Sequence, residues 1–516
     1  MSRSLSHLAR AIGAPLNGAD VEVHGLAHDS RDVRRGDLFV AIPGAHVDGS
    51  RFIDEAVAAG AVAACATTPH ATTPTIVSPD PRNALAGLAA AYYGNPANEM
   101  RLIAVTGSLG KTSTTLFVRT AMAGDGRDGT EAVGVIGTLG IRVGDRVVET
   151  GLTTPEAPAI HAALREMLTL GARTAVMEVT SHSLRLHRVE GLRFAIGVLT
   201  RIVPYEHLEF HPTPEHYIRT KMQLFDMIVP GGPLVVNLDD PIAREVTRGL
   251  DRPVIDLTTR GDTKADVAAT LESVGMRGSQ FTLEVRRALP RLDAGVVEPV
   301  SIPIRIPVLG VQQVLNAALG ATVALLAGAD PDTVAWRLAR TAQFTRRMEV
   351  VRDRDPVIID DAGSNPESIR ALFDIVGRID YARLRIVFAI RGSRGPAIVE
   401  RNAEALAAAL KAREPLLIVT ASEGSVGPRD RVTDAERDAT MAILRHAGCD
   451  PQFEPRLDTA IRRTFEGWAP GDLILMLGTQ GMDGGAAIAR HCLEKDGYRE
   501  GGARGAEERR ERRART

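Results

Sequence analysis

The amino-acid sequence predicts an α/β protein of several domains built on largely parallel sheets. Length is the first observation: 516 residues exceed one ordinary core, so two to four domains are expected. The second is alternation, because short apolar runs recur between helical stretches through the middle and end of the chain. The third is a glycine-rich turn at residues 107–110, set between an apolar run and a helix start.

The elements follow in order. Residues 102–105, 174–178, 196–200 and 234–237 are short apolar runs that fit buried strands. A second series lies at 357–360, 385–390, 416–420 and 473–477. Between two of these, "VERNAEALAAALKA" (399–412) has helical apolar spacing. The polar turn "GNPANEM" (94–100) marks one boundary, and a second falls near 340–345, after "NAALGATVALLAGA". Three domains are expected, at 1–97, 98–340 and 341–496. The Arg/Glu-rich residues 497–516 read as a disordered tail or a frayed helix. No internal repeat is visible.

Composition narrows the class. Apolar residues at 44% and charged residues at 24% are those of a soluble globular protein. A net charge of −2 gives no electrostatic case for nucleic acid or a membrane surface. Cys65, Cys449 and Cys492 are scattered, without metal-ligand spacing, which suits a reducing compartment. The start "MSRSLSHLARAIG" has no secretory pattern, and no run of about 18 apolar residues suggests a span, so a cytoplasmic protein is expected.

The stretch "AVTGSLGKTSTTLF" carries the first chemistry. Backbone N–H groups of a glycine turn at a helix N-terminus cradle anions. Thr106, Gly107, Ser108, Gly110 and Ser113 form that turn and helix start; Lys111 is placed for β- and γ-phosphates, and Thr112 for Mg2+. Val105 stands where the usual spacing has its first glycine. The plainer reading is a strand–helix turn with a chance lysine. Glu178 ends another apolar run, on the rim where open α/β sheets bind ligands, and reads either as a Mg2+ ligand or as a solvated strand end.

The shortened T-G-x-x-G-K-T loop resembles that of the Mur ligases, ATP-dependent enzymes that add amino acids to peptidoglycan precursors. "HDSRDVRRGDLFVAIPGAHVDGSRFIDEAVAAGA", "TTPEAP", "MEVTSHSLRLHRVEGLRF", "EHLEFHPTPEHYIRTKMQLF" and "VVNLDD" are similar, in the same order, to UDP-N-acetylmuramoyl-tripeptide synthetases. The resemblance spans about residues 20–490. It implies a three-domain architecture: a uridine-nucleotide-binding first domain, a central P-loop ATPase-like parallel sheet, and a Rossmann-like C-terminal domain for the amine substrate.

Residue roles follow from the resemblance alone. His207 matches a histidine ligand of a second Mg2+, although Mg2+ prefers oxygen; His211 is structural. Lys221 matches a lysine that is carbamylated, whereas a lysine on a helix is ordinarily solvated. Asn237 and Asn316 match adenine-side positions and read equally as turn or helix residues, with Gln313 replacing a usual asparagine. Thr153, Thr154, Ser181 and Arg188 match positions gripping the UDP-sugar-peptide, to which Ser30 of the first domain is added. Arg188 reads equally as a surface arginine. "RRMEVV" (346–351) resembles the Gly-Arg-Met-Glu segment, making Arg347 the nucleotide-side arginine, with Asp360 or Asp361 near the ribose.

The third domain departs from the family. Ala362, Ser364 and Asn365 stand where an aromatic and histidines are usual, and Leu109 replaces an asparagine in the phosphate loop. The Asp-Asn-Pro-Arg motif of diaminopimelate-adding members becomes "TASEGSVGPRDRV", leaving Arg429 as a remnant. The Gly-Lys-Gly-His-Glu motif becomes "GTQGMDGG", with Asp483 its one ionised group. The expectation is an amide-forming ligase using ATP and two Mg2+ ions through an acyl phosphate, with an amine other than diaminopimelate. A paralogue of specialised metabolism or poly-amino-acid synthesis is the alternative, and a non-catalytic nucleotide-binding relative the second. A monomer or weak homo-oligomer is expected.

Overall fold

In the computed structural model, residues 1–44, 47–123, 132–144, 146–411 and 413–495 are described. The expected tail at 497–516 lies outside the described residues. Two compact units are present. The first takes residues 1–271, 281–306 and 314–341, and the second takes 272–280, 307–313 and those from 342 onward.

Within the first unit, the N-terminal part is a five-stranded sheet. Its order is Leu16–Asn17, Thr75–Val77, Ala63–Ala66, Asp37–Val40, Gly25–Ala27. The last four strands pair in parallel, and only Leu16–Asn17 runs against its neighbour. Leu5, Leu8, Leu38, Val40, Leu85 and Leu88 build its core.

The central sheet places Arg101–Thr106 between Thr174–Glu178 and Ile196–Leu199, with Val133–Gly137 outside one and Leu234–Asn237 and Val254–Thr258 beyond the other. These six strands, part of an eleven-stranded sheet, pair in parallel, and most are the short apolar runs expected of strands covered on both faces. The strands at 101–106, 174–178, 196–199 and 234–237 are those the apolar runs predict. Val133–Gly137 ("VGVIG") was not among them, because glycine lowers strand propensity. The reason for the glycine is space. A Cβ on Gly137 would lie 2.5 Å from Glu178 Oε1, so this strand position is kept bare to admit a carboxylate.

The second unit is a six-stranded sheet in the order Glu349–Arg352, Val357–Asp361, Asp472–Leu477, Arg383–Ala389, Leu416–Glu423, Pro451–Arg456. The first strand is antiparallel to the second and the rest are parallel. Successive residues feed opposite faces: Ile359, Ile386 and Leu475 enter one core, and Ile358, Val387 and Ile474 the other. Helices cover both faces, among them Pro396–Leu410, close to the helix read from spacing at 399–412. Asn365 caps the helix Pro366–Val376 by accepting the Ser368 N–H at 2.9 Å, with Pro366 at the first helical position. That capping role explains the polar residue there without any ligand. Among the described residues no helix is long and apolar enough to cross a membrane.

Candidate functional site

The strand Arg101–Thr106 runs straight through Val105 and Thr106 before the chain turns at Gly107. Val105 is a buried strand residue, so a first glycine has no turn to make there. Gly107 adopts φ +142°, and a Cβ on it would fall 2.0 Å from Thr200 Oγ1, so only glycine fits. Thr200 Oγ1 donates to Leu109 O at 2.6 Å, and Thr106 Oγ1 donates to Val179 O at 2.8 Å; together they fix the loop on its flanking strands. The helix Lys111–Ala123 starts directly after Gly110, with Thr112 and Ser113 buried in its first turn.

Glu178, 1% exposed, sits at the end of the neighbouring strand. Its Oε2 accepts Thr112 Oγ1 at 3.0 Å, and its Oε1 accepts the Thr138 N–H at 2.8 Å. Thr138 Oγ1 is also 3.1 Å from Thr153 Oγ1, and Thr154 Oγ1 donates to Glu178 O at 2.8 Å. Thr112, Glu178, Thr153 and Thr154 are thus brought together, with Thr138 joining them. A carboxylate and hydroxyls at the mouth of a phosphate loop are hard oxygen donors, the chemistry Mg2+ selects.

Lys111 Nζ donates to Gly107 O at 2.9 Å and Ser108 O at 3.0 Å. Lys221 Nζ donates to the same Gly107 O at 2.8 Å. Lys221 belongs to the helix Pro214–Asp226, capped by Thr213, and it is buried rather than solvated as a helix lysine ordinarily is. Burial, and then the charge of Lys111, push its amine well below the ordinary lysine range, against the opposing pull of Glu206. Its Nζ lies 4.8 Å from the centre of the Tyr217 ring. The Tyr217 hydroxyl in turn lies 2.7 Å from Ser108 Oγ, joining this helix to the phosphate loop.

His207 has φ +58° and its Nδ1 lies 3.2 Å from Glu209 Oε1. The His182 ring meets it edge-on at 4.8 Å and stacks on Phe210 at 4.1 Å. One donor atom each from His182, His207 and Glu209 falls within 4.8 Å of the others, a spacing a metal ion can bridge. Burial and the neighbouring His207 push His182 down to about 3, so its imidazole is neutral and a competent ligand. His211 is buried against His216 (Nδ1 to Nδ1, 3.0 Å), in keeping with a structural role.

The remaining expected residues divide. Asn316 reaches the phosphate loop: its Oδ1 accepts Thr114 Oγ1 at 3.2 Å and lies 2.6 Å from where a Gly110 Cβ would be. Asn237 ends its strand and accepts the Asp239 N–H at 3.1 Å, a turn interaction. Arg188 Nε lies 2.8 Å from Glu156 Oε1, and its Nη1 donates to Thr154 O at 3.1 Å. It is therefore an ordered, paired arginine beside Thr154, not a loose surface one. Ser181 is buried at the start of the helix Ser181–Arg185, and its Oγ has no partner among the described residues. Ser30 lies in the N-terminal part, bonded to Glu55 at 3.1 Å.

In the second unit, Asp360 and Asp361 end the strand Val357–Asp361. Asp361 accepts the N–H groups of Met348 (2.8 Å) and Gly363 (2.7 Å). Arg347 folds onto Arg346 O at 2.9 Å. Arg346 is the unexpected participant. It takes φ +57°, a backbone state costing roughly 1–2 kcal/mol for a residue with a Cβ, and its buried guanidinium bonds Thr479 O at 2.8 Å, Gly478 O and Asp483. Its Nε lies 3.5 Å from Asp360 Oδ1. Asp483 is therefore the partner of an internal arginine. Arg429 falls in the turn Pro428–Asp430, and its side chain lies outside what is described.

Three family models match along the chain: "Mur ligase family, catalytic domain" over residues 22–93, "Mur ligase middle domain" over 105–324, and "Mur ligase, glutamate ligase domain" over 346–480. The chain is 34% identical to a UDP-N-acetylmuramoyl-L-alanyl-D-glutamate--2,6-diaminopimelate ligase of Chlorobaculum tepidum, covering 92% of both chains. The chain belongs to the Mur ligase family. It is also 32% identical to a UDP-N-acetylmuramyl-tripeptide synthetase of Roseiflexus, covering 96% of this chain and 98% of that one. The fold matches a MurF ligase of Thermotoga maritima solved with ADP, at TM-score 0.63 and 20% identity, over 92% of this chain and 97% of the other. Mur ligases are ATP-dependent enzymes that form C–N bonds and use Mg2+.

Sequence reading missed three participants of this Mur ligase. Thr138 follows a glycine-rich strand that hid its own character. Tyr217 reads as core. Arg346 had one signal, an arginine at a family glycine position.

Asp360 generates a pH prediction. Burial pushes its carboxyl up to about 7, with Asp361 and Glu349 adding to the shift and Arg346 opposing it. The folded state then holds a proton that the unfolded chain releases near 3.8. The contribution is complete below pH 4 and is lost as pH rises through about 7, at no more than ~1.4 kcal/mol per pH unit. Asp360→Asn should flatten this limb, measured as melting temperature between pH 4 and 8; an unchanged slope contradicts the assignment.

Proposed function

We propose that this Mur ligase couples ATP cleavage to amide formation on the carboxylate of a UDP-N-acetylmuramoyl-peptide-like substrate. The observation that carries the reading is the phosphate loop whose Thr112 is bonded to the buried Glu178, with Lys111 and Lys221 converging on Gly107. In the first step the substrate carboxylate oxygen attacks the γ-phosphorus; the bond to the bridging oxygen breaks, giving an acyl phosphate and ADP. An incoming amine then attacks the acyl carbon, the C–N bond forms, phosphate leaves with the C–O electron pair, and the amine nitrogen loses its proton. This chemistry needs positioning and charge neutralisation more than covalent help.

Lys111 moves from the loop carbonyls to the β- and γ-phosphates. Thr112 and Glu178 would hold Mg2+ at the phosphate loop, and His207, with Glu178 as its carboxylate partner and a carbamylated Lys221 beside it, would hold a second ion; bound there, Mg2+ would supply neutralisation of phosphate charge. A neutral Lys221 amine would add CO2, forming an N–C bond as one C–O π bond opens and releasing a proton, which replaces a buried neutral amine with an anion. Asn237, Asn316, Arg347 and Asp360 take the nucleotide. Ser30, Thr153, Thr154, Ser181 and Arg188 take the UDP-sugar-peptide. Residues 1–97, 98–340 and 341–496 divide these tasks as acceptor, ATP and amine domains. The protein works in the cytoplasm as a monomer or weak homo-oligomer.

The altered motifs of the C-terminal domain favour an amine other than diaminopimelate. A zwitterionic end buried without partners costs several kcal/mol. Arg429 and Asp483 are what is left of the two clamps. The same departure supports a second reading, a paralogue joining another carboxylate and amine. The presence of all four of Lys111, Glu178, His207 and Lys221 argues against a non-catalytic relative.

Lys111→Ala should abolish ATP-dependent phosphate release while the variant still folds, read as a cooperative thermal melt. Undiminished turnover would remove the phosphate-loop reading. Lys221→Ala should be inactive and recover partly in acetate, which restores a carboxylate; an acetate-insensitive variant contradicts the carbamate. In a competition offering diaminopimelate, lysine and small neutral amines together with UDP-N-acetylmuramoyl-dipeptide as acceptor, diaminopimelate should not be the preferred product, read by product mass. Preferred diaminopimelate incorporation overturns the amine assignment.

A further inference from the structure

Arg346 stands where the resembling family segment has glycine, yet it keeps a glycine-like backbone, φ +57°. A strained conformation held by a long charged side chain points to work done by that side chain. Its guanidinium is 8% exposed and reaches three features at the carboxyl ends of the second unit's parallel strands. It bonds the carbonyls of Gly478 and Thr479, which open the loop following Asp472–Leu477. It pairs with Asp483, which is 67% exposed and closes the same loop. It also faces Asp360, fully buried, whose Oδ2 has no partner among the described residues. Ligands of open α/β sheets bind beyond such strand ends.

The loop thus carries one acid facing solvent, and an internal cation already satisfies it. An incoming amine whose side chain ends in a second ammonium would meet a neutralised carboxylate and a fixed guanidinium. Repulsion of a wrong partner is as effective a selector as attraction of the right one. We propose that Arg346 is a specificity-determining residue of the amine-binding unit: by occupying Asp483 and Asp360 it restricts the incoming amine to those without a cationic side-chain end. This rests on the ligase reading above, and it narrows that reading's amine class by disfavouring lysine, whose side chain ends in an ammonium alone.

The test is Arg346→Gly, which returns the position to the residue its backbone prefers. Turnover with alanine, glycine and lysine should show the ratio of kcat/KM for lysine over the two neutral amines rising at least tenfold. The gain should vanish in Arg346→Gly/Asp483→Asn, because the freed acid is its source. Arg346→Gln keeps a hydrogen-bond donor for the two carbonyls without the charge; it should shift the ratio in the same direction, and it serves if the glycine variant fails to fold. Arg346→Lys should keep the wild-type ratio. A ratio unchanged within twofold in both the glycine and glutamine variants overturns the proposal, as does a gain that survives loss of Asp483. Calorimetric binding of lysine and alanine to the same proteins reads the proposal independently of turnover. Phosphate release absent from wild type with every amine would instead overturn the ligase reading.

Discussion

Two lysine amines share one carbonyl oxygen. Lys111 at 2.9 Å and Lys221 at 2.8 Å both donate to Gly107 O, and Lys221 does so from full burial. Two unit charges in such proximity repel by a few kcal/mol even at an effective dielectric near 20. Such a pair is tolerable only if one amine is neutral or an anion joins them. The fold is arranged around that requirement. Gly107 must be glycine for its carbonyl to be presented there, Thr106 and Thr200 pin the turn, and Ser108 meets Tyr217, whose ring lies beneath Lys221. A phosphate at Lys111 and a carbamate at Lys221 would each answer the excess of positive charge.

The same logic explains why Glu178 is built in so firmly. A carboxylate 1% exposed needs donors for both oxygens, and Thr112 and Thr138 supply them. The strand Val133–Gly137 gives up a side chain at Gly137 to let the carboxylate through. Strand, loop and helix therefore hold a charge in position before any nucleotide arrives, the kind of preorganisation on which phosphoryl transfer depends.

The sequence made these parts legible to different degrees. Buried parallel strands read clearly, because an apolar run at 174–178 or 473–477 has few other uses. The loop read clearly because glycines, lysine and threonine must sit at fixed spacing to make an anion cradle. The strand at 133–137 did not, since its glycines answer a tertiary need, room for Met167 and Glu178, that local propensity cannot express. Nor did the burial of Lys221: it lies one turn from Tyr217 and one from Phe225, on the buried face of an amphipathic helix, where a lysine is ordinarily expected to reach out to solvent. The histidine cluster was half visible: His207 stood out through resemblance, but His182 and Glu209 join it only once the chain turns at His207 with φ +58°.

The C-terminal unit shows the limit of motif reading in the other direction. From the sequence, "GTQGMDGG" looks like a charged recognition loop that has been neutralised, and Asp483 its last recognition group. The structure gives Asp483 an internal partner, so its charge is already committed. That partner sits 137 positions earlier, at a residue whose backbone would suit glycine. The altered loop and Arg346 thus meet at one place in the structure. A loop stripped of its own charges needs something to hold it against the sheet, and a guanidinium with two carbonyls and two carboxylates around it can do so in one piece.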